Sequence, residues 1–323
     1  MSELLELQDL SVTYRTSEGP VPAVRGVSIS VRAGRSLGVA GESGCGKSTL
    51  AAAVLRLLPA SATLGGRILL NGEDVLTMKF GRLRAVRWGA ASIVFQGALH
   101  SLNPVQRVGD QIAEPILLHD RKASAGSARK RVAELLTQVG LPPRLASSYP
   151  HQMSGGQKQR VMIAMALACK PQLVIADEPT TALDVMVQAQ VLDLLTGLVH
   201  DLGLGLVIIS HDLSVLGTTC DELAVMYAGR VVEHGPAREV LGQPTHPYTR
   251  ALAAAFPTIG DPSSRFAPSG LPGDPPFPGD LPPGCPFHPR CPSALERCAE
   301  QTVELEQVSA DRAAACLLVE ARP

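Results

Sequence analysis

Apolar and polar residues alternate through LLELQDLSVTY (4–14) and again through VSISV (27–31). That period of two predicts two half-buried strands with a polar loop between them. SLGVA (36–40) is apolar almost throughout, the pattern of a short strand buried on both faces. It runs into a glycine-rich loop and then into KSTLAAAVLRLLP (47–59), a predicted helix stopped by Pro59. QLVIA (172–176) and LGLVIIS (204–210) are further runs of the parallel-strand type, each ending at polar or charged residues. From about 105 to 150 the period changes to a helical one, with GSARKRVAELLTQVG as an amphipathic helix and no strong strand. This stretch predicts a helical subdomain inserted between strands of an α/β core. After HPYTRALAAAF (246–256) eight prolines fall between Pro262 and Pro283, which predicts an extended, irregular segment.

A length of 323 residues accommodates one large domain with an extension or two modest domains. Only 3% of residues are aromatic against 45% hydrophobic, so the core must be built from Ala, Val, Leu and Ile. A net charge of −1 excludes a whole-chain field that would draw the protein to nucleic acid or to an anionic membrane. MSELLELQDL lacks a basic stretch followed by an apolar run, so no secretory signal is expected. Apolar runs such as VMIAMALAC (161–169) fall short of the ~20 residues that cross a bilayer. Seven cysteines without such a signal point to reduced thiols or metal ligands in a cytosolic compartment.

GESGCGKST (41–49) satisfies G-x-x-x-x-G-K-[ST] between a predicted strand and a predicted helix. Glycines let backbone N–H groups turn inward around a polyphosphate, and the helix points its positive end at the same oxygens. The nucleotide set is therefore Gly41, Glu42, Ser43, Gly44, Cys45, Gly46, Lys47, Ser48 and Thr49, with Lys47 reaching the β and γ phosphates and Ser48 ligating Mg²⁺. LVIADEP (173–179) ends a buried run in two carboxylates. Beside a phosphate loop these read as Asp177 in the Mg²⁺ shell and Glu178 as general base.

SGGQKQR (154–160), Gln96 in IVFQ, Asp184 in TTALD and His211 in IISHD complete a set that resembles the nucleotide-binding subunit of an ABC transporter, from about residue 5 to 245. The resemblance implies a P-loop ATPase core at 1–245 with its helical subdomain near 98–158. It also implies a head-to-tail dimer with ATP between the loop of one subunit and Ser154, Gly155, Gly156 and Gln157 of the other. His211 then contacts the γ phosphate, Gln96 senses Mg²⁺ and the attacking water, Asp184 crosses the dimer seam, and Tyr14 stacks on adenine. SLNP (101–104), HPYTRAL (246–252) and GCPFHPRCP (284–292) narrow the resemblance to the dipeptide and oligopeptide importer branch, which includes nickel importers. The branch implies two permease subunits, a second and different ATPase chain, an external solute-binding protein, and a place on the cytoplasmic face of the membrane. Competing readings are an ABC protein of translation or DNA repair, which would show tandem cassettes or a coiled-coil insertion, and a nucleotide-binding or redox-sensing module without transport.

The resemblance has departures. Cys45 stands where serine is usual, which predicts sensitivity to thiol reagents. Gly97 replaces an acidic residue, and Met153 replaces a leucine. In the small irregular extension at 246–323, Cys285, Cys291, Cys298 and Cys316 are spaced C-x5-C-x6-C-x17-C. Zinc sites favour C-x2–4-C pairs, whereas a four-iron cluster takes one thiolate per corner from separated segments. The importer branch includes ATPases whose tail cysteines hold a [4Fe-4S] cluster. Zinc, with His288 as a further ligand, and four unligated thiols remain open beside it.

Overall fold

The structure is a computed structural model that describes residues 3–95, 97, 101–255, 271 and 273–319. In chain order its elements are β1 (Glu3–Thr16), β2 (Gly19–Arg32), β3 (Ser36–Ala40), α1 (Lys47–Val54), β4 (Ala62–Leu70), β5 (Glu73–Asp74), α2 (Phe80–Gly89), β6 (Ala91–Val94), α3 (Val108–His119), α4 (Ala125–Gln138), α5 (Gly155–Ala166), β7 (Leu173–Asp177), α6 (Val185–Leu202), β8 (Gly205–Ser210), α7 (Leu213–Thr219), β9 (Glu222–Tyr227), β10 (Arg230–Pro236), α8 (Ala237–Gly242), α9 (Pro247–Ala255), β11 (Glu306–Ser309) and β12 (Arg312–Ala314). They fall into two compact units.

The first unit is Leu70–Ile208 with two early segments, Met1–Leu5 and Val31–Arg35. β6 and β7 pair in parallel, from Ala91 opposite Leu173 to Val94 opposite Ala176, and β8 follows β7 in the sheet. Every residue of β7 is buried, as expected of a strand covered on both faces. The inserted stretch is helical: α3, α4 and α5 pack through Ile112, Val132, Leu135, Leu136 and Ile163, all 3% exposed or less. Gln111 on α3 is buried. Its Oε1 accepts the Asn103 N–H at 2.9 Å, and its Nε2 donates to the carbonyls of Asn103 and Gln106 at 3.0 and 2.9 Å. One buried amide thereby fixes the SLNP turn to the helix.

The second unit holds Glu6–Ser30, Ser36–Leu69 and Ile209–Pro323. β1 lies between β2 and β4, with Leu7, Leu10 and Val12 turned inward. β3 runs parallel to β9, from Leu37 opposite Glu222 to Ala40 opposite Val225. β9 pairs antiparallel with β10, β10 with β12, and β12 with β11.

The elements depart from the sequence reading in three places. The polar stretch between the first strands is itself mostly strand: β2 begins at Gly19, and Thr16 Oγ1 donates to the Gly19 carbonyl at 2.8 Å across a tight turn. α1 ends at Val54, short of Pro59, because Arg56 turns to φ 49° and the Leu57 N–H reaches back to the Ala52 carbonyl at 2.9 Å. That six-to-one bond closes the helix in the Schellman manner. The extension contains the β11–β12 hairpin, whose strands of 4 and 3 residues are too short to display a period of two. Residues 262–270 and 272 of the proline-rich stretch lie outside the described residues.

The hairpin is held by a buried carboxylate. Glu233, 0% exposed, accepts the N–H groups of Thr245 and His246 at 2.9 and 2.8 Å and the Arg312 guanidinium at 2.9 Å. His246 is buried as well. Its Nδ1 accepts the Tyr248 N–H at 3.0 Å, and burial lowers its pKa to about 4. It is neutral in the fold and binds a proton more readily once unfolded. Its contribution is therefore complete above the ordinary histidine value of ~6.5 and is lost as pH falls toward 4, a change of about 3 kcal/mol. Denaturation midpoints should fall from pH 7 to pH 4.5 by more in the native chain than in a His246→Gln variant. Equal pH dependence in the two would contradict a neutral His246.

Candidate nucleotide site and cysteine segment

The phosphate loop lies in the second unit, between β3 and α1. Gly41, Gly44 and Gly46 take φ of 151°, 80° and 105°, in the range that favours glycine. Gly46 caps α1 and directs the helix amino end into the loop. Lys47 is 7% exposed, and its ammonium donates to the carbonyls of Gly41 at 2.6 Å and Glu42 at 2.9 Å. Ser43, Gly44 and Ser48 are exposed along the same loop. The Tyr14 hydroxyl is 3.1 Å from Thr49 Oγ1, which puts this half-buried ring beside the start of α1. Cys45 is 5% exposed, and burial raises its thiol pKa although Lys47 pulls the other way. The expected sensitivity of Cys45 to thiol reagents is therefore corrected: a thiol tucked against Gly41 is neither accessible nor readily ionised. His211 follows β8 and is exposed, and Asp212 caps α7 by accepting the N–H groups of Ser214 and Val215.

The other motif residues lie in the first unit. Asp177 ends β7 and is 5% exposed. Glu178 follows at φ 49°, a left-handed conformation rare for a residue with a side chain. Its Oε2 accepts the Thr181 hydroxyl at 2.8 Å. Ser154 caps α5 in a reciprocal pair: its Oγ accepts the Gln157 N–H at 3.3 Å, and Gln157 Oε1 accepts the Ser154 N–H at 3.0 Å. A β-carbon on Gly156 would come within 2.5 Å of Val187, so only glycine lets the start of α5 sit against the start of α6, which Asp184 caps. Gly155 is the first residue of α5. Gln96 lies outside the described residues, while Gly97 beside it has φ 82° and thereby suits glycine.

The four tail cysteines are free thiols, as are all seven in the chain. Cys285 and Cys291 flank the turn His288–Arg290, Cys298 lies on the turn Glu296–Ala299, and Cys316 follows β12. The Cys285 N–H donates to the Cys298 carbonyl at 2.8 Å. A β-carbon on Gly284, at φ 67°, would lie 2.4 Å from that carbonyl, so glycine is needed for the turns to meet. Burial raises the thiol pKa values of Cys285, Cys291 and Cys316, and the nearby cysteine charges raise them further. Thiolates gathered this way repel one another, a cost that a cationic centre would relieve. Among the described residues no three His, Cys, Asp or Glu side chains are arranged to hold a metal ion.

Residues 24–181 match the family described as ABC transporter, and residues 232–298 match the oligopeptide/dipeptide transporter, C-terminal region. The oligopeptide transport ATP-binding protein OppD of Salmonella typhimurium is 44% identical over 97% of this chain and 93% of its own length. This chain belongs to the oligopeptide/dipeptide branch of the ABC transporter ATP-binding proteins. A putative peptide import ATP-binding protein of Brucella abortus is 45% identical over 92% of the chain and 90% of its own length. Among solved structures, a dimeric post-hydrolysis state of the ATP-binding cassette MJ0796 bound to ADP and Pi superimposes with a TM-score of 0.65 at 29% identity, covering 72% of this chain and 99% of that one. CbiO1 of Clostridium perfringens, part of an ABC transporter complex, gives a TM-score of 0.64 at 30% identity over 75% and 92% of the two chains. The fold is that of an ABC ATPase, and the chain is an ABC transporter ATPase.

Three residues of this ABC ATPase escaped the sequence reading. Arg290, Glu233 and Gln111 each organise a loop through buried polar contacts made far along the chain or across an insert. No local pattern marks such partners.

Proposed function

We propose that this chain is the energy-coupling subunit of an importer for dipeptides and oligopeptides. The observation that carries this reading is the match of residues 232–298 to the oligopeptide/dipeptide C-terminal region on a chain that also holds a complete phosphate loop. Lys47 would bind the β and γ phosphates, and Ser48 and Asp177 would hold Mg²⁺. Glu178 would take the proton of the attacking water, His211 would contact the γ phosphate, and Tyr14 would face adenine. Ser154, Gly155, Gly156, Gln157 and Asp184 would act on the nucleotide of a partner ATPase. Ser154 caps the amino end of a twelve-residue helix there, an end whose dipole favours an anion, which supports that role.

ATP binding would close the ATPase pair and hydrolysis would reopen it, moving two permease subunits at the inner face of the membrane. No helix among the described residues is long and apolar enough to cross a bilayer, so the pore would belong to other chains. Val105, 82% exposed beside the SLNP turn, offers an apolar contact for a permease. The partner ATPase would be a different chain, the solute would arrive on an external binding protein, and nucleic acid has no role. The cassette would span 1–245 and the extension 246–323. Cys285, Cys291, Cys298 and Cys316 would hold a [4Fe-4S] cluster as a structural staple, since the proline-rich extension has little apolar surface to order it.

The test is reconstitution of the chain with its permease and partner ATPase subunits. Peptide-loaded binding protein should stimulate ATP turnover. Stimulation by a nickel chelate and not by any peptide would overturn the substrate class. Anaerobic purification should yield about four iron and four sulfide per chain, and a colourless or zinc-containing protein would sink the cluster.

A further inference from the structure

We propose that Arg290, inside the cysteine segment, is a positioning residue of the nucleotide site. Its guanidinium forms a two-pronged ion pair with Glu42 of the phosphate loop, Nη1 to Oε2 at 2.8 Å and Nη2 to Oε1 at 2.9 Å. The pair is largely enclosed, with side-chain exposures of 7% for Arg290 and 21% for Glu42. Such fork-to-fork geometry fixes orientation as well as charge. Arg290 also lies 5.9 Å from the centre of the Tyr227 ring and donates to its hydroxyl at 3.3 Å.

Glu42 is gripped at every polar group. Its N–H donates to the Tyr248 hydroxyl at 2.9 Å, its carbonyl accepts Lys47 at 2.9 Å, and its carboxylate takes Arg290. The tail reaches the loop by a second route as well. Phe287, 1% exposed and three residues before Arg290, packs edge-on against Tyr227 and Tyr248, each with ring centres 5.3 Å away. Both routes start from the turn that separates Cys285 from Cys291.

The chemistry assigns the purpose. A carboxylate in a loop that cradles a triphosphate repels its ligand unless it is neutralised. Arg290 cancels that charge and holds the side chain to one side, so the segment is a working part of the nucleotide site. This inference rests on the phosphate-loop reading above. It makes Glu42 a charge that Arg290 of the tail neutralises.

The experiment is a double-mutant cycle on the full-length chain, with MgATP affinity measured by titration calorimetry and KM and kcat measured in the assembled transporter. Arg290→Ala should weaken MgATP binding about tenfold and raise KM far more than it lowers kcat. Arg290→Lys should recover part of the loss, keeping the charge without the fork. Adding Glu42→Gln to Arg290→Ala should restore most of the affinity, an outcome that a purely structural anchor would not give. Wild-type affinity in Arg290→Ala, or a double variant no better than the single one, would overturn the proposal. Should Arg290→Ala fail to fold, the cycle runs with the neutral Arg290→Gln and the same criteria. Lys47→Ala serves as the reference: normal nucleotide binding in that variant would refute the phosphate-loop reading itself.

Discussion

Glu178→Gln should lower ATP turnover by the assembled transporter between about 10²- and 10⁴-fold, the usual worth of a positioned general base. The substitution preserves the shape of the side chain and removes only its ability to take a proton. Nucleotide should still bind, so the variant should accumulate in an ATP-loaded state. The structure gives two reasons to choose this carboxylate over its neighbour. Asp177 is 5% exposed at the end of β7, poorly placed to meet an attacking water. Glu178 is half-buried, held at φ 49°, with Thr181 donating to Oε2. A left-handed residue with a side chain costs of order 1–3 kcal/mol, and such strain is kept where orientation matters. Thr181→Val should therefore reduce turnover by a smaller factor, because the carboxylate survives and only its support is lost. Equal turnover in the native chain and Glu178→Gln would refute the assignment of the base.

The parts of the site that were legible in the sequence are those written in consecutive residues. The loop 41–49 declares its chemistry because glycine spacing, lysine and serine must be contiguous to wrap one polyphosphate. SLGVA was readable as a strand because burial on both faces demands an apolar run, and it forms β3 with the bounds expected. The end of α1 was not readable. Pro59 looked like the stop, but the helix closes at Val54 through a left-handed reversal at Arg56, a residue type that carries no local mark of such a turn. Arg290 was invisible for a different reason. Its partner Glu42 lies 248 positions earlier, and an arginine between two cysteines carries no mark of its partner. Cys45 shows the same limit from the other side: its thiol suggested reactivity until burial was known.

Gly46→Ala should abolish useful nucleotide binding, whereas Gly44→Ala should be tolerated, although both are glycines of one loop with positive φ. The φ values are 105° at Gly46 and 80° at Gly44, so each alanine meets some backbone strain, about 1–2 kcal/mol. The surroundings separate them. A β-carbon at Gly46 would lie 2.2 Å from the Ala23 carbonyl oxygen, a backbone atom that cannot rotate aside, while one at Gly44 would meet nothing within 4 Å. Relieving the clash must push the loop away from Ala23 and swing the amino end of α1 off its line, since Gly46 is the cap of that helix. A displacement of about 1 Å in a preorganised site costs roughly a hundredfold, so Gly46→Ala should weaken MgATP binding by at least about that factor. Gly44→Ala should stay within about tenfold of the native affinity. Calorimetric titration of both variants, with denaturation curves to register the strain, decides the matter. Equal losses at the two positions would show that φ alone, and not the approach of the Ala23 carbonyl, sets the requirement for glycine.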